Sequence, residues 1–346
     1  MAGLTEDIQV GVREDLSNVI SIADAASTPA VSMIKKGQSL GNTYFEWQVD
    51  DYEDADANSV VDGSDVDTST AAGYTDTDTD SIHDIGENYT SADLGNKLEN
   101  PARKRTRLGN YGHYWRRAFR VSTLAEDVSN VAGAASEIAK GLAKKTTELK
   151  RSMEKTVLGN QNAATPAGSQ GYVTRGLGSW TESDGSYYAP NSGAIESLTT
   201  GTDLTDDHLQ DVLKGIFNET GTYGDLHLIA GTALRRAFSN LLSSTSVTNY
   251  PVAVRSIQST DQSTYNTTLD VVAGDFGKVM VHPDLFTPDE KTGYVIDPSK
   301  LELRYGFLPR SRKLTNNGGG EGRYIEAFGG LVVENPKTLG RIKINQ

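Results

Sequence analysis

The chain has 346 residues, 36% of them hydrophobic, with a formal net charge of −13 at pH 7 and no cysteine; it is long enough for about two domains. The absence of cysteine excludes disulfides, thiolate nucleophiles and cysteine-ligated metals, and the acidic balance argues against a dedicated DNA-binding protein. No apolar run approaches the ~18 residues of a membrane span and no signal-peptide pattern opens the chain, so we expect a soluble protein made in a cytoplasm.

The beginning of the chain predicts an arm followed by a short helix. Residues 1–27 contain only one or two amphipathic turns, which are too few to fold alone. Thr28 and Pro29 open the helix, because proline is favoured at the first helical position and threonine can cap it. Lys35 and Lys36 favour its C-terminus, and the glycine that follows ends it.

A strand and a charge-segregated loop come next. Residues 43–49 alternate polar and apolar side chains, which predicts a strand. Residues 37–96 contain fifteen acids and no lysine or arginine, whereas residues 97–120 contain eight basic residues and one acid. The acidic segment repels itself and buries too little apolar surface to fold alone. We therefore expect it to find opposite charge on the basic limb and on another copy of the chain.

The basic limb predicts a second strand. Alternation over residues 103–122 places Trp115 and Arg117 on one face of this strand, and Arg116 and Arg120 on the other. Each face thus carries positive charge.

The strongest helical pattern covers residues 124–158. Apolar residues recur there at three-, four- and seven-residue steps, which predicts one amphipathic spine helix ~50 Å long. Gly133 and Gly141 are expected to bend it. Residues 160–201 are rich in glycine, serine and asparagine, and they predict loops or a hairpin.

The second half predicts a compact lobe of helices and strands. A helix over 203–218, capped by Thr202 or Asp203, precedes a buried strand over 225–230 and a helix over 232–242. The fold class is therefore α+β, without a fixed-period internal repeat. Further strands are predicted at 268–273, 278–282, 293–296, 300–304, 323–327 and 331–334.

Short motifs stand in a particular order along these elements. They are Thr28-Pro29, Met33-Ile34, Phe45-Glu46-Trp47-Gln48, Asp50-Asp51, Asn110-Tyr111, Phe119, Val121-Ser122, Glu137, Lys140, Leu149-Lys150, Glu154, Leu158, Asn160-Gln161 and Leu331-Val332-Val333-Glu334-Asn335-Pro336. In this order they resemble the major capsid proteins of tailed bacteriophages, which have the Hong Kong 97-type fold. Residues 64–87 depart from the resemblance, because they are longer and more acidic than such a loop.

The resemblance implies five parts and a structural role without enzyme activity. The parts are an N-terminal arm (1–42), an extended E-loop (43–122), a peripheral domain with the spine helix (123–200), an axial domain (201–300) and returning strands of the peripheral domain (301–346). Hexamers and pentamers would self-assemble into an icosahedral shell around packaged double-stranded DNA in the virion, built in the host bacterial cytoplasm. Portal, separate scaffolding and decoration proteins are the implied partners, packaged double-stranded DNA is implied only as a non-specific neighbour, and neither a membrane nor a cofactor is implied.

Nine residues are the candidate assembly residues. The aromatic ones need cover from a neighbour, and the basic ones can pair with a neighbour's acidic limb. Interleaved aromatic and basic residues can also bind single-stranded nucleic acid, but the fifteen acids of this chain favour pairing between copies. The nine are Phe45, Trp47, Arg103, Lys104, Arg105, Arg107, Arg116, Arg117 and Arg120.

A weaker candidate is a calcium site in the acidic loop, where carboxylates follow the spacing of a calcium-binding loop. Ser81 stands where the turn glycine belongs, and no helical pattern flanks the segment. The five histidines are scattered, and a lone one such as His227 is expected to be structural. The calcium candidates are Asp76, Asp78, Asp80, Asp84 and Glu87.

Three other functions remain open from the sequence. An encapsulin-like compartment would enclose enzymes, and a surface-layer protein would use calcium to order the acidic segment. A glycan hydrolase would need paired carboxylates ~5–9.5 Å apart, and no such pair stands out.

Overall fold

The computed structural model describes residues 27–50, 52, 105–128, 136–182, 188–199, 204–221, 225–241, 271–315 and 318–345. The chain divides into two compact units, residues 44–109 and the remainder. The elements are α1 (Pro29–Met33), β1 (Lys35–Lys36), β2 (Tyr44–Val49), β3 (Thr106–Tyr111), β4 (His113–Val121), α2 (Thr123–Val128), α3 (Glu137–Val157), α4 (Leu177–Trp180), β5 (Ile195–Ser197), α5 (Asp206–Thr220), β6 (Asp225–Ala230), α6 (Thr232–Leu241), β7 (Val271–Gly274), β8 (Gly277–Pro283), β9 (Thr292–Ile296), β10 (Leu301–Lys313), β11 (Glu321–Val333) and β12 (Gly340–Lys343).

A six-stranded mixed sheet with the order β5-β12-β9-β6-β8-β7 carries one core. Leu213 of α5, Leu234 and Phe238 of α6, and Leu228 of β6 are almost fully buried in it. Each such side chain contributes about 1.5–3 kcal/mol relative to an exposed one. This core is what joins the predicted helices and strands of the second half into one lobe.

A four-stranded sheet with the order β1-β10-β11-β4 carries a second core. Leu149 and Met153 of α3 pack there against Trp115 of β4 and against Ile325 and Ala327 of β11. The spine helix therefore lies on one face of this sheet.

The first helix is shorter than predicted. It ends at Met33, and Lys35 and Lys36 instead form β1, which pairs in parallel with Glu302 and Leu303 of β10. In the sheet, the backbone groups of Lys35 and Lys36 form hydrogen bonds with β10. In the last turn of a helix, their carbonyl groups would have no partner within the helix.

The single strand predicted over 103–122 is wrong. It is two strands in different sheets, β3 and β4, and Gly112 lies between them. The N–H of Gly112 donates to the carbonyl of Thr43 at 2.7 Å. A Cβ at Gly112 would lie 2.3 Å from the ring of Phe328, so only glycine fits there.

The single spine helix predicted over 124–158 is also wrong. Ser136 is extended, and α3 begins after it with its own cap. Glu126 of α2 accepts the hydroxyl of Ser136 at 2.7 Å and the N–H groups of Glu137 and Ile138 at 3.1 and 3.2 Å. These bonds satisfy the free N–H groups of a new helix start.

Later elements match the predictions more closely. β6 begins and ends at the predicted residues. The helix predicted over 203–218 is α5, and it begins after Thr205. The N–H of Thr205 donates to Nδ1 of His208 at 3.0 Å. The strands predicted at 323–327 and 331–334 are one strand, β11, and β5 and β12 were not predicted. His227 contacts His282 on the adjacent strand at 2.9 Å between ring nitrogens, and burial lowers its pKa.

Candidate assembly surface

Strand β4 is an edge strand of the four-stranded sheet and carries three of the candidate arginines. It pairs with β11 in antiparallel register, with Arg116 opposite Glu326. Trp115 is buried against α3, and its Nε1 donates to Oγ1 of Thr156 at 3.0 Å. The predicted alternation of faces is confirmed, so Arg117 points to the same side as Trp115.

The three arginines of β4 are exposed. Arg117 donates to Oγ of Ser152 on α3 at 2.6 Å, and Arg120 donates to the carbonyl of Gly318. Both acceptors are neutral, and within the part of the chain that the structure describes neither these two nor Arg116 forms an ion pair. The edge of the sheet therefore keeps a net positive charge.

An open groove of about 730 Å³ lies between β4, the last turns of α3 and the loops around Gln161 and Phe286. Arg116, Arg117 and Lys155 line it, together with polar and apolar side chains, and its described lining contains no aspartate or glutamate. A groove with three cations and no acid favours an anionic occupant.

A second charged cluster lies around Glu326, and the order of residues along the chain does not predict it. The hydroxyl of Tyr114 donates to Oε2 of Glu326 at 2.7 Å, and Nε of Arg310 and of Arg312 each lie 2.8 Å from Oε1. Burial acts to raise the pKa of Glu326, but the bonds from Tyr114 and Arg310 and the charge of Arg312 outweigh it, and the pKa is lowered. The arginines stay about half exposed and outnumber the acid.

The unit of residues 44–109 has its own charge pairing. Nε of Arg105 lies 2.9 Å from a carboxylate oxygen of Asp50, and Arg107 lies 3.9 Å from Glu46. The basic limb thus meets the acidic limb on the paired strands β2 and β3, as the charge pattern predicted.

The remaining candidates divide between β2 and undescribed segments. Phe45 and Trp47 are half buried and stack with ring centroids 6.1 Å apart.

No group of three or more acids or histidines among the described residues could hold a metal, and no described helix is long and apolar enough to cross a membrane. The candidates outside the described residues are Arg103, Lys104, Asp76, Asp78, Asp80, Asp84 and Glu87.

A family model described as "SU10 major capsid protein" matches residues 3–346 of the chain. No curated protein matches it.

Solved structures give the same indication for the fold. The chain is similar to the cyanophage A-1(L) capsid asymmetric unit, with a TM-score of 0.60, 11% identity, and coverage of 99% of this chain and 100% of that chain. A structure from Mycobacterium phage Adephagia gives a TM-score of 0.59 at 11% identity, with coverage of 100% of this chain and 99% of that chain. A structure from Mycobacterium phage Bobi gives a TM-score of 0.58 at 10% identity, with coverage of 97% of this chain and 96% of that chain. The expected α+β fold of the Hong Kong 97 type is confirmed.

Proposed function

The chain belongs to the SU10 major capsid protein family, and from this premise we propose that its copies interlock into the icosahedral head of a tailed phage around packaged double-stranded DNA. As a family member it is a structural, shell-forming protein of the phage virion. This role is favoured over an encapsulin-like compartment or a surface-layer protein. Hexamers and pentamers would assemble in the host cytoplasm, with portal, scaffolding and decoration proteins as partners.

The proposed contact places the acidic segment of one copy in the groove beside β4 of the next. The groove carries Arg116, Arg117 and Lys155 without an acid, while residues 37–96 carry fifteen acids without a base. Opposite charges of this kind select the correct partner and set its register. The charge match between groove and loop is the observation that carries the proposal.

The other candidates take different roles in this arrangement. Arg105 and Arg107 hold the two limbs of the loop together, because their carboxylate partners are Glu46 on β2 and Asp50 directly after it. Phe45 and Trp47, both half buried, gain their remaining cover from a neighbouring copy. Such contacts belong to obligate interfaces of ~2,000–5,000 Å².

The net charge of −13 suits a container for DNA. Phosphates bind protein mainly through lysine and arginine, so an acidic wall lets the packaged DNA fill the shell without adhering to it.

The test is assembly of the full-length chain expressed alone, measured by sedimentation velocity and negative-stain electron microscopy. We expect closed shells or rings of five and six subunits. Arg116→Glu combined with Arg117→Glu should give a folded monomer without shells. The matched control is Lys214→Glu with Arg236→Glu, which makes the same charge change on exposed faces of α5 and α6.

Three outcomes would contradict the proposal. Normal shells from the Arg116 and Arg117 double variant would remove the groove from the assembly contact. Equal loss of shells in the control would show that total charge, and not the groove, controls assembly. A wild-type chain that stays monomeric even with a scaffold would argue against shell assembly itself.

A further inference from the structure

Two buried carboxyl groups meet between the spine helix, α1 and the six-stranded sheet. Glu154 of α3 is fully buried, and Asp284, directly after β8, is 3% exposed. The side chain of Asp284 lies within hydrogen-bonding reach of Glu154 and acts on its pKa. The backbone N–H of Asp284 donates to the carbonyl of Ala230 at the end of β6, at 2.9 Å, which ties this residue to the sheet.

Glu154 also holds the start of α1. Its Oε1 accepts the N–H of Ala30 at 2.6 Å, and its Oε2 accepts the N–H of Val31 at 2.7 Å. Thr28, the predicted cap, makes no side-chain capping bond. A residue 124 positions away in sequence therefore satisfies the free N–H groups of this helix.

The bonds of Asp284 show where a proton must lie. Its Oδ1 accepts the N–H of Phe286, whereas its Oδ2 is buried and has no donor among the described residues. Both oxygens of Glu154 already accept backbone N–H groups. A single proton between Glu154 and Oδ2 of Asp284 leaves every oxygen of the pair with a partner, and an unpaired buried oxygen would be costly.

Among the described residues, few other charged groups lie on the elements around the pair. α1 has no charged residue, and Lys150 and Lys155 on α3 are exposed to solvent. The guanidinium of Arg151 lies over the ring of Phe286, 5.4 Å from its centroid. In the turn after β8, Asp289 lies 3.5 Å from the ammonium of Lys343.

The protonated pair is therefore the stable form near neutral pH. Burial and then the hydrogen bond to Asp284 raise the pKa of Glu154 to about 8, against the backbone bonds from Val31 and Ala30, which lower it. Desolvation is the largest effect on the pKa of this carboxyl, and it outweighs the backbone N–H groups at the helix start.

We propose that Glu154 and Asp284 form a proton-linked latch that fastens α1 to the spine helix and to the six-stranded sheet. With one proton shared, the two carboxyls bind each other and hold α1. When that proton leaves, two buried anions face each other and the contact opens. The latch operates within one chain and does not depend on shell assembly.

The direction of the pH effect follows from the two states. The closed latch binds its proton with a pKa of about 8, and the open one with a value near the ordinary 4.5. The latch is therefore tightest below about pH 4.5, loosens by about tenfold for each pH unit up to about 8, and changes little beyond that.

The test is hydrogen exchange of the full-length chain, read by mass spectrometry on the peptide covering residues 27–36 between pH 5 and 9 and corrected for intrinsic exchange rates. Wild-type protection should fall about tenfold per pH unit up to about pH 8. Asp284→Asn should stay protected across the range, because its amide can donate to Glu154 while its Oδ1 still accepts the N–H of Phe286. Glu154→Gln should be less protected at every pH, again without a slope.

The control is Glu148→Gln, the same substitution on the same helix at a carboxylate that pairs with Lys145 at 2.7 Å. It should keep the wild-type slope. A wild-type peptide without pH dependence would overturn the latch, as would an undiminished slope in Asp284→Asn. If Asp284→Asn does not fold, a slope that persists in Glu154→Gln overturns it equally well.

Discussion

The indole Nε1 of Trp115 donates to the hydroxyl of Thr156 at 3.0 Å, and this bond joins β4 to the spine helix inside the second core. Thr156 in turn donates to the carbonyl of Ser152 at 2.8 Å. The hydroxyl thus connects the edge strand, which carries the candidate arginines, to the helix that forms the opposite wall of the groove.

Thr156→Val should destabilise the chain by about 1–3 kcal/mol, because valine keeps the volume but leaves the buried indole N–H of Trp115 without an acceptor. Urea unfolding of the full-length chain measures this. Thr147→Val is the matched control, since Thr147 makes the same bond to the carbonyl four residues earlier without the indole. We expect the control to change stability by less than ~0.5 kcal/mol. Equal effects of the two changes would contradict a role for the Trp115 bond.

Local pattern predicts an element well where that element buries a regular face. β6 buries most of its six side chains in a core between neighbouring strands. The apolar residues of this short segment are therefore enough to predict where the strand begins and ends. The start of α3 is different, because the apolar period runs through Ser136 without interruption. The break depends on contacts from Glu126, ten residues earlier, and no periodic pattern records them.

In the candidate site, too, some features follow from the local residue pattern and others depend on contacts between distant residues. The charge of the basic limb and the two faces of β4 were predictable from residue order alone. The cluster around Glu326 was not, because Tyr114 lies 212 positions from its partner and Arg310 lies 16 positions away across a hairpin. In addition, the pairing of β10 with β11 shifts register twice near Phe307. A simple alternation of residues along β10 therefore does not predict which residue lies opposite Glu326.

Glu326→Gln should reduce stability at pH 7 by about 1–2 kcal/mol, a value that takes account of the half-exposed arginines. The lowered pKa of Glu326 means that its contribution is present above about pH 4.5 and is lost as the pH falls below that value. Urea unfolding at pH 7 and at pH 3.5 should therefore show a difference between variant and wild type that shrinks in acid.

Glu302→Gln is the control for this prediction, because Glu302 lies on the same sheet with one arginine partner, Arg304 at 3.2 Å. It should cost less than ~1 kcal/mol. A difference between Glu326→Gln and wild type that is unchanged at pH 3.5 would show that the carboxylate charge does not contribute.

The pairing of Asp50 with Arg105 predicts the effect of a charge swap in the extended loop. Arg105→Asp should place two acids against each other and speed amide exchange in residues 44–50 by about two- to fivefold, as expected for an exposed pair worth ~0.5–1 kcal/mol. Asp50→Arg together with Arg105→Asp should restore the wild-type rate. Exchange that stays fast in the double swap would indicate that Arg105 acts on another copy of the chain.

Gly141 of the spine helix lies against Phe119 of β4, and a Cβ at Gly141 would lie 2.6 Å from the ring of Phe119. The sequence suggested that this glycine bends the helix, but its observed effect is to let the ring lie against the backbone. Alanine favours helices over glycine by about 1 kcal/mol, whereas overpacking costs about 1–3 kcal/mol. Gly141→Ala should therefore lower stability by about 1 kcal/mol, and adding Phe119→Leu should recover part of the loss by making room for the methyl group. A thermal melt of the two variants checks this, and a Gly141→Ala chain more stable than wild type would mean that Phe119 moves aside freely.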